Sequence, residues 1–210
     1  MIPYTYPGKP ERTHSDLVYY DKYSTTWGLS INPLDYEWAS LMLTNGKIVK
    51  YKVKPDFIRI CSEYSGPIIK PIYDQHKYSI GLIGSYSPLE NDTTIARFAD
   101  LNYTSEKFDE RVFKKIAGPD NSYGQTFADS NWIYNLQLDS LNLNVDFKFD
   151  RGSAGPIRIK LIADLDNDGL DDFIILSHTI WDLHETILFL SSSLQNGYYV
   201  KTISSILDFD

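Results

Sequence analysis

The feature that most constrains the fold of this 210-residue chain is an aspartate-rich segment from Asp164 to Asp172. Five of its nine residues are aspartates, and no basic side chain lies among them. Carboxylates this close repel one another unless they share a cation, and oxygen ligands at alternate positions around a glycine turn are what Ca²⁺ requires. We therefore expect a loop that binds Ca²⁺ as a structural ion. The alternative is an acidic turn without a metal, in which the repulsion stays uncompensated.

The spacing of the aspartates predicts a ligand set for this ion. When Asp164 is counted as position 1, Gly169 stands at position 6, where the loop must turn sharply. Position 12 is Ile175, whereas an EF-hand carries a bidentate Glu there, and neither flank has a helical period. Mg²⁺ fits less well, because its short octahedral geometry does not suit five or six protein oxygens. The predicted ligands are the side chains at positions 1, 3, 5 and 9 and the backbone carbonyl at position 7: Asp164, Asp166, Asp168, Asp172 and Leu170.

The segment 163–175 resembles the calcium loop of FG-GAP and VCBS-type repeats, which form blades of β-propellers. That family has Asp at positions 1, 3, 5 and 9, Gly at position 6 and an apolar strand afterwards, and the segment meets this pattern throughout. Residues 187–190 and 197–200 resemble the outer strands of such a blade. The resemblance covers about residues 157–203, less than a quarter of the chain. It implies a blade-like unit in which Ca²⁺ joins two strands.

Most of the remaining sequence is typical of β-strands. Apolar and polar residues alternate without a break over 141–149, which indicates a strand with one face in water. Asn45-Gly46 separates two strand-like segments and is the strongest short signal for a hairpin turn. In the second of these segments Lys50 and its neighbouring lysines share one face, which we expect to be solvated. The predicted fold class is therefore mainly β, with antiparallel meander or propeller-blade-like sheets.

One helix is predicted, near residues 105–117. Ser105 is a suitable N-cap and Glu106 lies in the first turn, where the helix dipole favours a negative charge. Gly118-Pro119 ends the pattern. An apolar stripe at helical spacing connects the two ends: Phe108, Val112, Phe113 and Ile116.

The length suits one domain over 1–210 that can bury a sizeable core. A division into an N-terminal part, 1–120, and a calcium-loop β-meander, 121–210, is the alternative. The second part is predicted to hold about six strands, four of them flanking or following the aspartate-rich segment: 157–163, 173–177, 186–191 and 198–203.

Charge and composition exclude some partners. The formal net charge is −8, of which the five clustered aspartates supply −5, so the rest of the chain carries −3. We find no basic face for phosphate binding, and nucleic acid is not an expected partner. No apolar stretch reaches membrane length, and no disulfide can form within the chain because Cys61 is the single cysteine. We expect a periplasmic or extracellular protein whose leader has been removed, since free Ca²⁺ is plentiful there.

No catalytic motif is recognisable in the sequence. The four histidines have no familiar zinc spacing, and phosphate-binding loops and nucleophile elbows are missing: the histidines are His14, His76, His178 and His184. We therefore expect a protein that is not an enzyme. A hydrolase remains an alternative, because the carboxylate pair of a glycosidase is assembled in space and leaves no sequence motif.

These observations lead to one principal expectation about function. It is a calcium-stabilised extracytoplasmic binding protein, most concretely a bacterial inhibitor or immunity protein that blocks a secreted toxin or hydrolase by protein–protein binding. The alternative is a carbohydrate- or cell-surface-binding module built on exposed aromatic side chains. Packing in a sheet core explains the same aromatic residues equally well: Trp27, Tyr36, Trp38, Tyr123, Trp132, Tyr134 and Trp181.

Overall fold

The structure is a computed structural model that describes residues 17–21, 35–62, 66–72, 79–85, 88–89, 91–100, 113–118, 132–149, 157–178 and 184–207. Fifteen strands lie in these ranges. The first seven are β1 (Leu17–Asp21), β2 (Glu37–Thr44), β3 (Lys47–Val53), β4 (Asp56–Ser62), β5 (Gly66–Ile72), β6 (Ser79–Ser85) and β7 (Asp92–Ile95). The other eight are β8 (Phe98–Ala99), β9 (Phe113–Ala117), β10 (Trp132–Leu138), β11 (Leu143–Phe149), β12 (Ile157–Ala163), β13 (Asp172–His178), β14 (His184–Phe189) and β15 (Tyr198–Leu207).

The strands form three sheets. Five of them make an antiparallel sheet in the order β1-β6-β2-β3-β7, and β4 pairs with β5 in a separate two-stranded sheet. The third sheet has eight strands in the order β8-β12-β13-β14-β15-β11-β10-β9. Within it, β12 to β15 form an antiparallel meander, and β11 then pairs with β15 in parallel. The eight-stranded sheet thus combines β8 and β9, which precede residue 120, with six strands that follow it.

The predicted mainly β fold class is confirmed, but the predicted helix is wrong where the structure describes it. Phe113–Ala117 is the edge strand β9, which pairs antiparallel with β10. Residues 105–112 lie outside the described residues. The Phe113 ring packs 5.9 Å from the ring of Phe147, so contacts across the sheet outweigh the helical spacing of the apolar side chains. In the described residues, the two complete 3₁₀ turns are Asp139–Leu141 and Ser191–Ser193, and Asp35 is a single further 3₁₀ residue.

A first core lies between the five-stranded and the eight-stranded sheets. Tyr19, Leu41 and Ile48 come from the five-stranded sheet, and each side chain is fully buried. They form one cluster with Ile174 and Leu188 from the eight-stranded sheet. The two sheets therefore pack face to face on one side of the β12–β15 meander.

A second core, rich in aromatic rings, lies on the other side of that meander. Phe147 of β11 has its ring centroid 5.0 Å from that of Phe173 in β13 and 5.0 Å from that of Phe189 in β14. In the order of the sheet β11 is three strands from β13, which in a flat sheet is about 14 Å at about 4.8 Å per strand. The eight-stranded sheet must therefore curl so that β11 folds over β13 and β14. As a result β12, β13 and β14 are covered on both faces, and the loop between β12 and β13 has a rigid base.

Across the described ranges, we find no helix with the length and apolar character needed to cross a membrane.

Candidate metal centre

The aspartate loop, which we define as residues 164–171, joins two buried strands. Ala163 at the end of β12 pairs with Asp172 at the start of β13, which closes the loop on itself. Two loop residues have left-handed backbone conformations, Asn167 with φ 64° and Gly169 with φ 86°. Asn and Gly are the residues that adopt this conformation most easily. The turn predicted at Gly169 is therefore present.

Three of the predicted ligands come together. One carboxylate oxygen from each of Asp164, Asp166 and Asp172 lies within 4.8 Å of the other two. Ca²⁺ binds oxygens at about 2.3–2.6 Å, so two ligands of the same ion lie at most about 5 Å apart. The spacing of this carboxylate cluster fits a shared Ca²⁺ ion.

Asp172 organises the loop from its buried base. It is 0% exposed, and its Oδ2 accepts hydrogen bonds from the amides of Leu165 (2.5 Å) and Asp166 (3.2 Å). Its Oδ1 accepts from the amide of Ser191 (2.8 Å), and the Ser191 hydroxyl oxygen lies 3.1 Å from the same atom. Burial raises the pKa of Asp172 to about 7, and the charge of Asp166 adds to this shift. A nearby cation counters both effects and favours the ionised carboxylate.

Asp166 carries the polar atom that best fits a bound cation. Its Oδ2 accepts a hydrogen bond from the Ser192 hydroxyl at 2.6 Å, whereas its Oδ1 is buried and has no hydrogen-bond partner. Burial raises the pKa of Asp166, and repulsion from Asp168 and Asp164 raises it further. A buried carboxylate oxygen without a donor is costly, and a metal ion at the cluster removes that cost.

Asp164 and Asp168 fold the loop through its own amides. Asp164 accepts hydrogen bonds from the backbone of Asp168 (3.1 Å) and of Gly169 (3.0 Å). Asp168 accepts from the Leu170 amide at 2.8 Å and from the Ser191 hydroxyl at 2.6 Å. Asp168 is thus directed to Ser191 and lies outside the group of three converging carboxylates. The Leu170 side chain is exposed, and the roles of Asp168 and of the Leu170 carbonyl as ligands stay predictions.

A serine turn contacts three of the four aspartates predicted as ligands, and we did not predict it. This 3₁₀ turn, Ser191–Ser193, lies between β14 and β15. Ser191 contacts Asp168 and Asp172, and Ser192 contacts Asp166. The available signal was three consecutive serines directly after an apolar strand, but the contact with the aspartate loop joins segments about 20 residues apart.

Two basic side chains contact three of the four even positions of the loop. Lys50 of β3 donates to the carbonyl of Leu165 at position 2 (3.2 Å) and to Oδ1 of Asn167 at position 4 (3.1 Å). Arg97 forms an ion pair with Asp171 at position 8, and its other terminal nitrogen donates to the carbonyl of Leu141 at 2.6 Å. Positions 1, 3 and 9 thus supply the carboxylate cluster, and positions 2, 4 and 8 attach the loop to its surroundings.

The expectation of a solvated lysine face on β3 is wrong at Lys50, whereas the Lys52 side chain on the same face is 53% exposed, as expected. Ile48 and Lys50 are 0% and 4% exposed and point into the protein, whereas Tyr51 is 49% exposed. Strict alternation in β3 predicts which residues share a face but not which face is covered.

The other candidate residues occupy varied positions. Four of the aromatic residues are buried: Tyr36, Trp38, Trp132 and Tyr134. His178 and His184 are register partners at the end of the β13–β14 pair, and Cys61 lies in β4. The remaining candidates lie outside the described residues: Trp27, Tyr123, Trp181, His14 and His76. The buried aromatics therefore contribute to packing and not to an exposed platform.

Comparisons of the chain with models of known protein families, with curated proteins and with solved structures find no match. The resemblance of 163–175 to FG-GAP and VCBS calcium loops stays a prediction based on the residues of the loop itself.

Proposed function

We propose that this protein is a calcium-stabilised binding protein that works outside the cytosol and is not an enzyme. The observation that carries the proposal is the buried, unpaired Oδ1 of Asp166 within the three converging carboxylates. Ca²⁺ is held there by Asp164, Asp166 and Asp172, with Asp168 and the carbonyl of Leu170 completing the ligand set. The ion supplies the positive charge that these carboxylates need and stabilises the fold because it binds only the folded loop.

The surroundings of the loop support a structural role for the ion. Asp172 is fully buried and Leu165 is 2% exposed within the first core. The carboxylates accept hydrogen bonds from backbone amides and serine hydroxyls, which hold the chain in one conformation. Extracellular modules bind Ca²⁺ with a Kd of about 10⁻⁴–10⁻³ M, so one such loop is useful where free Ca²⁺ is abundant.

The partner in this proposal is a protein, most concretely a secreted toxin or hydrolase that this chain inhibits. The mild acidity of the chain, −3 apart from the five clustered aspartates, supports this choice, because an acidic surface steers a basic enzyme and suits its substrate cleft. The protein then acts as a bacterial inhibitor or immunity protein. The burial of Tyr36, Trp38, Trp132 and Tyr134 makes the carbohydrate-binding alternative less favourable.

The metal part of the proposal is tested by calorimetric titration of chelator-stripped protein with Ca²⁺ and by thermal unfolding. At 100 times the Kd, a ligand stabilises by about 2.7 kcal/mol, which raises the Tm of a chain of this length by about 5–10 °C. We expect this increase in the wild type and in the exposed Asp139→Asn variant, but not in Asp166→Asn. An unchanged Tm in EDTA and in Ca²⁺ contradicts the proposed ion.

The partner is tested separately with purified toxins or hydrolases encoded beside the gene for this chain. We expect a stoichiometric complex on size-exclusion chromatography and loss of the partner's activity when the two proteins are mixed. The absence of a complex with every such product contradicts the inhibitor proposal. Binding on a glycan array that depends on Ca²⁺ favours the carbohydrate-binding alternative instead.

A further inference from the structure

The ammonium group of Lys50 is buried and fully paired. The residue is 4% exposed, and its Nζ lies 3.2 Å from the Leu165 carbonyl, 3.1 Å from Asn167 Oδ1 and 3.2 Å from Asp92 Oδ2. An ammonium has three N–H donors, and three oxygen acceptors surround this one. A lysine this deeply buried is rare unless its charge has a partner. Lys50 is therefore a fixed part of the structure and not a solvated surface charge.

The three acceptors belong to two separate parts of the molecule. Asp92 lies on β7, where it is the register partner of Lys50 across the β3–β7 pair of the five-stranded sheet. Leu165 and Asn167 belong to the aspartate loop, which extends from the eight-stranded sheet. A hydrogen bond from Asn167 also lowers the pKa of Asp92, after larger contributions from Thr93 and Lys50. Lys50, Asp92 and Asn167 thus form a closed set of contacts between the loop and β3–β7.

One peptide group connects this set of contacts to the carboxylate cluster. The carbonyl of Leu165 accepts from Lys50, and the amide of Asp166, in the same peptide group, donates to Asp172 Oδ2 at 3.2 Å. A peptide group is planar and rigid, so a movement of its oxygen is also a movement of its nitrogen. The side chain of Leu165 is anchored in the first core, which restricts how the group can rotate.

We propose that Lys50, Asp92 and Asn167 form a joint that couples the aspartate loop to the five-stranded sheet. Through the Leu165–Asp166 peptide, the conformational rigidity of the loop and that of the β3–β7 edge depend on each other. In the ion-free protein the joint keeps the loop docked. When Ca²⁺ binds, the joint transmits the ordering of the loop to β7. This second effect rests on the proposed calcium site, whereas the first does not.

The ion-free effect is tested by amide hydrogen exchange in EDTA on Lys50→Met. Lys52→Met is the matched control, because Lys52 lies on the same face of β3 but is 53% exposed and pairs with Glu37. We expect exchange at the Leu165, Asp168 and Gly169 amides to accelerate at least about tenfold in Lys50→Met and to stay unchanged in Lys52→Met. Equal exchange rates at these amides in wild type and Lys50→Met contradict the proposed coupling through Lys50.

A milder variant keeps the test valid if Lys50→Met fails to fold. Asn167→Gly preserves the left-handed backbone, which glycine adopts freely, and removes only the side-chain amide. Asn196→Gly is its control, because Asn196 has φ 51° in the turn before β15. We expect faster exchange at Gly169 in EDTA for Asn167→Gly alone, and no difference between the two variants overturns the joint.

The transmission to β7 is tested by repeating the exchange measurement with saturating Ca²⁺. In the wild type and in Asn196→Gly we expect slower exchange both in the loop and at Asp92–Ile95. In Asn167→Gly we expect protection of the loop with weaker protection of β7, because the Lys50–Leu165 contact remains. Equal protection of β7 in both variants overturns the transmission. Calcium that fails to bind contradicts the calcium site, while the measurement in EDTA still decides whether the joint exists.

Discussion

Two turns of this protein share left-handed backbone conformations at Asn and Gly but depend on very different contacts. The β2–β3 turn, Asn45-Gly46, has φ 52° and 72°, and the aspartate loop has φ 64° at Asn167 and 86° at Gly169. The β2–β3 turn consists of two exposed residues. Both have the left-handed backbone conformation that a type I′ hairpin turn requires. The aspartate loop is longer and is held by contacts from the serine turn, from Lys50 and from Arg97. A short turn is thus determined by its own residues, whereas a long polar loop needs the surrounding fold.

The largest expected effect comes from removing the buried base of the aspartate loop. Asp172→Ala leaves three amides without this acceptor, the buried ones of Leu165 and Ser191 and the partly buried one of Asp166. Unsatisfied buried groups cost about 1–3 kcal/mol each, so we expect a loss of about 3–5 kcal/mol in chemical denaturation. Asn45→Ala is the comparison in the β2–β3 turn and should cost no more than about 2 kcal/mol. Equal losses of stability in Asp172→Ala and Asn45→Ala contradict the view that only the aspartate loop depends on distant contacts.

The second effect is a pH dependence that should distinguish the ion-free loop from the ion-bound loop. The pKa of Asp172 is about 7 in the folded protein against an ordinary 3.8, so the folded state binds more protons between these values. In EDTA, stability should therefore fall as the pH rises from about 4 to 7. Thermal unfolding over this range measures the slope.

Saturating Ca²⁺ should reverse that pH dependence, because the ion binds ionised carboxylates and competes with protons. The increase in Tm caused by Ca²⁺ should therefore be larger at pH 8 than at pH 5. Asp172→Asn should flatten the slope in EDTA, since the titrating group is gone. A stability in EDTA that increases with pH over this window contradicts the raised pKa.

A smaller effect is expected when alanine replaces the glycine of either turn. Neither Gly46 nor Gly169 has an atom within 4 Å of the position of an added Cβ, so the cost is backbone strain alone. That strain is about 1–2 kcal/mol for a left-handed residue, and Gly46→Ala and Gly169→Ala should cost similar amounts. Only Gly169→Ala should weaken Ca²⁺ binding in a calorimetric titration. Weaker binding by Gly46→Ala shows that the two turns are not independent.

The smallest effect should come from the exposed part of the serine turn. Ser192→Ala removes the hydroxyl that donates to Asp166 Oδ2, and we expect a loss of about 0.5–1.5 kcal/mol in EDTA. Ca²⁺ should reduce the loss, because it supplies Asp166 with another partner. Ser140→Ala, in the exposed 3₁₀ turn between β10 and β11, is the control. A loss that is identical with and without Ca²⁺ contradicts a role for Ser192 at the cluster.

Local patterns in the sequence were sufficient for much of the fold. The predicted strand 157–163 coincides with β12, and the predicted hairpin turn at Asn45-Gly46 is present, with Thr44 paired to Lys47. The strand-like flanks of the aspartate loop also placed it correctly between two strands. These features depend on the alternation of apolar and polar residues and on Asn and Gly in the turns. Both are properties of residues that are close together in the sequence.

The tertiary structure decided the features that depend on contacts between distant segments. It placed Phe113–Ala117 on the edge of a sheet instead of in a helix, and it buried Lys50 against Asp92 and Asn167. It also paired β11 with β15 in parallel and brought the serine turn to the carboxylates. The sequence by itself determined where most described strands and both turns lie, because those rules act over a few residues. Which face each strand buries, and what holds the aspartate loop, depends on packing between segments that are far apart in the chain.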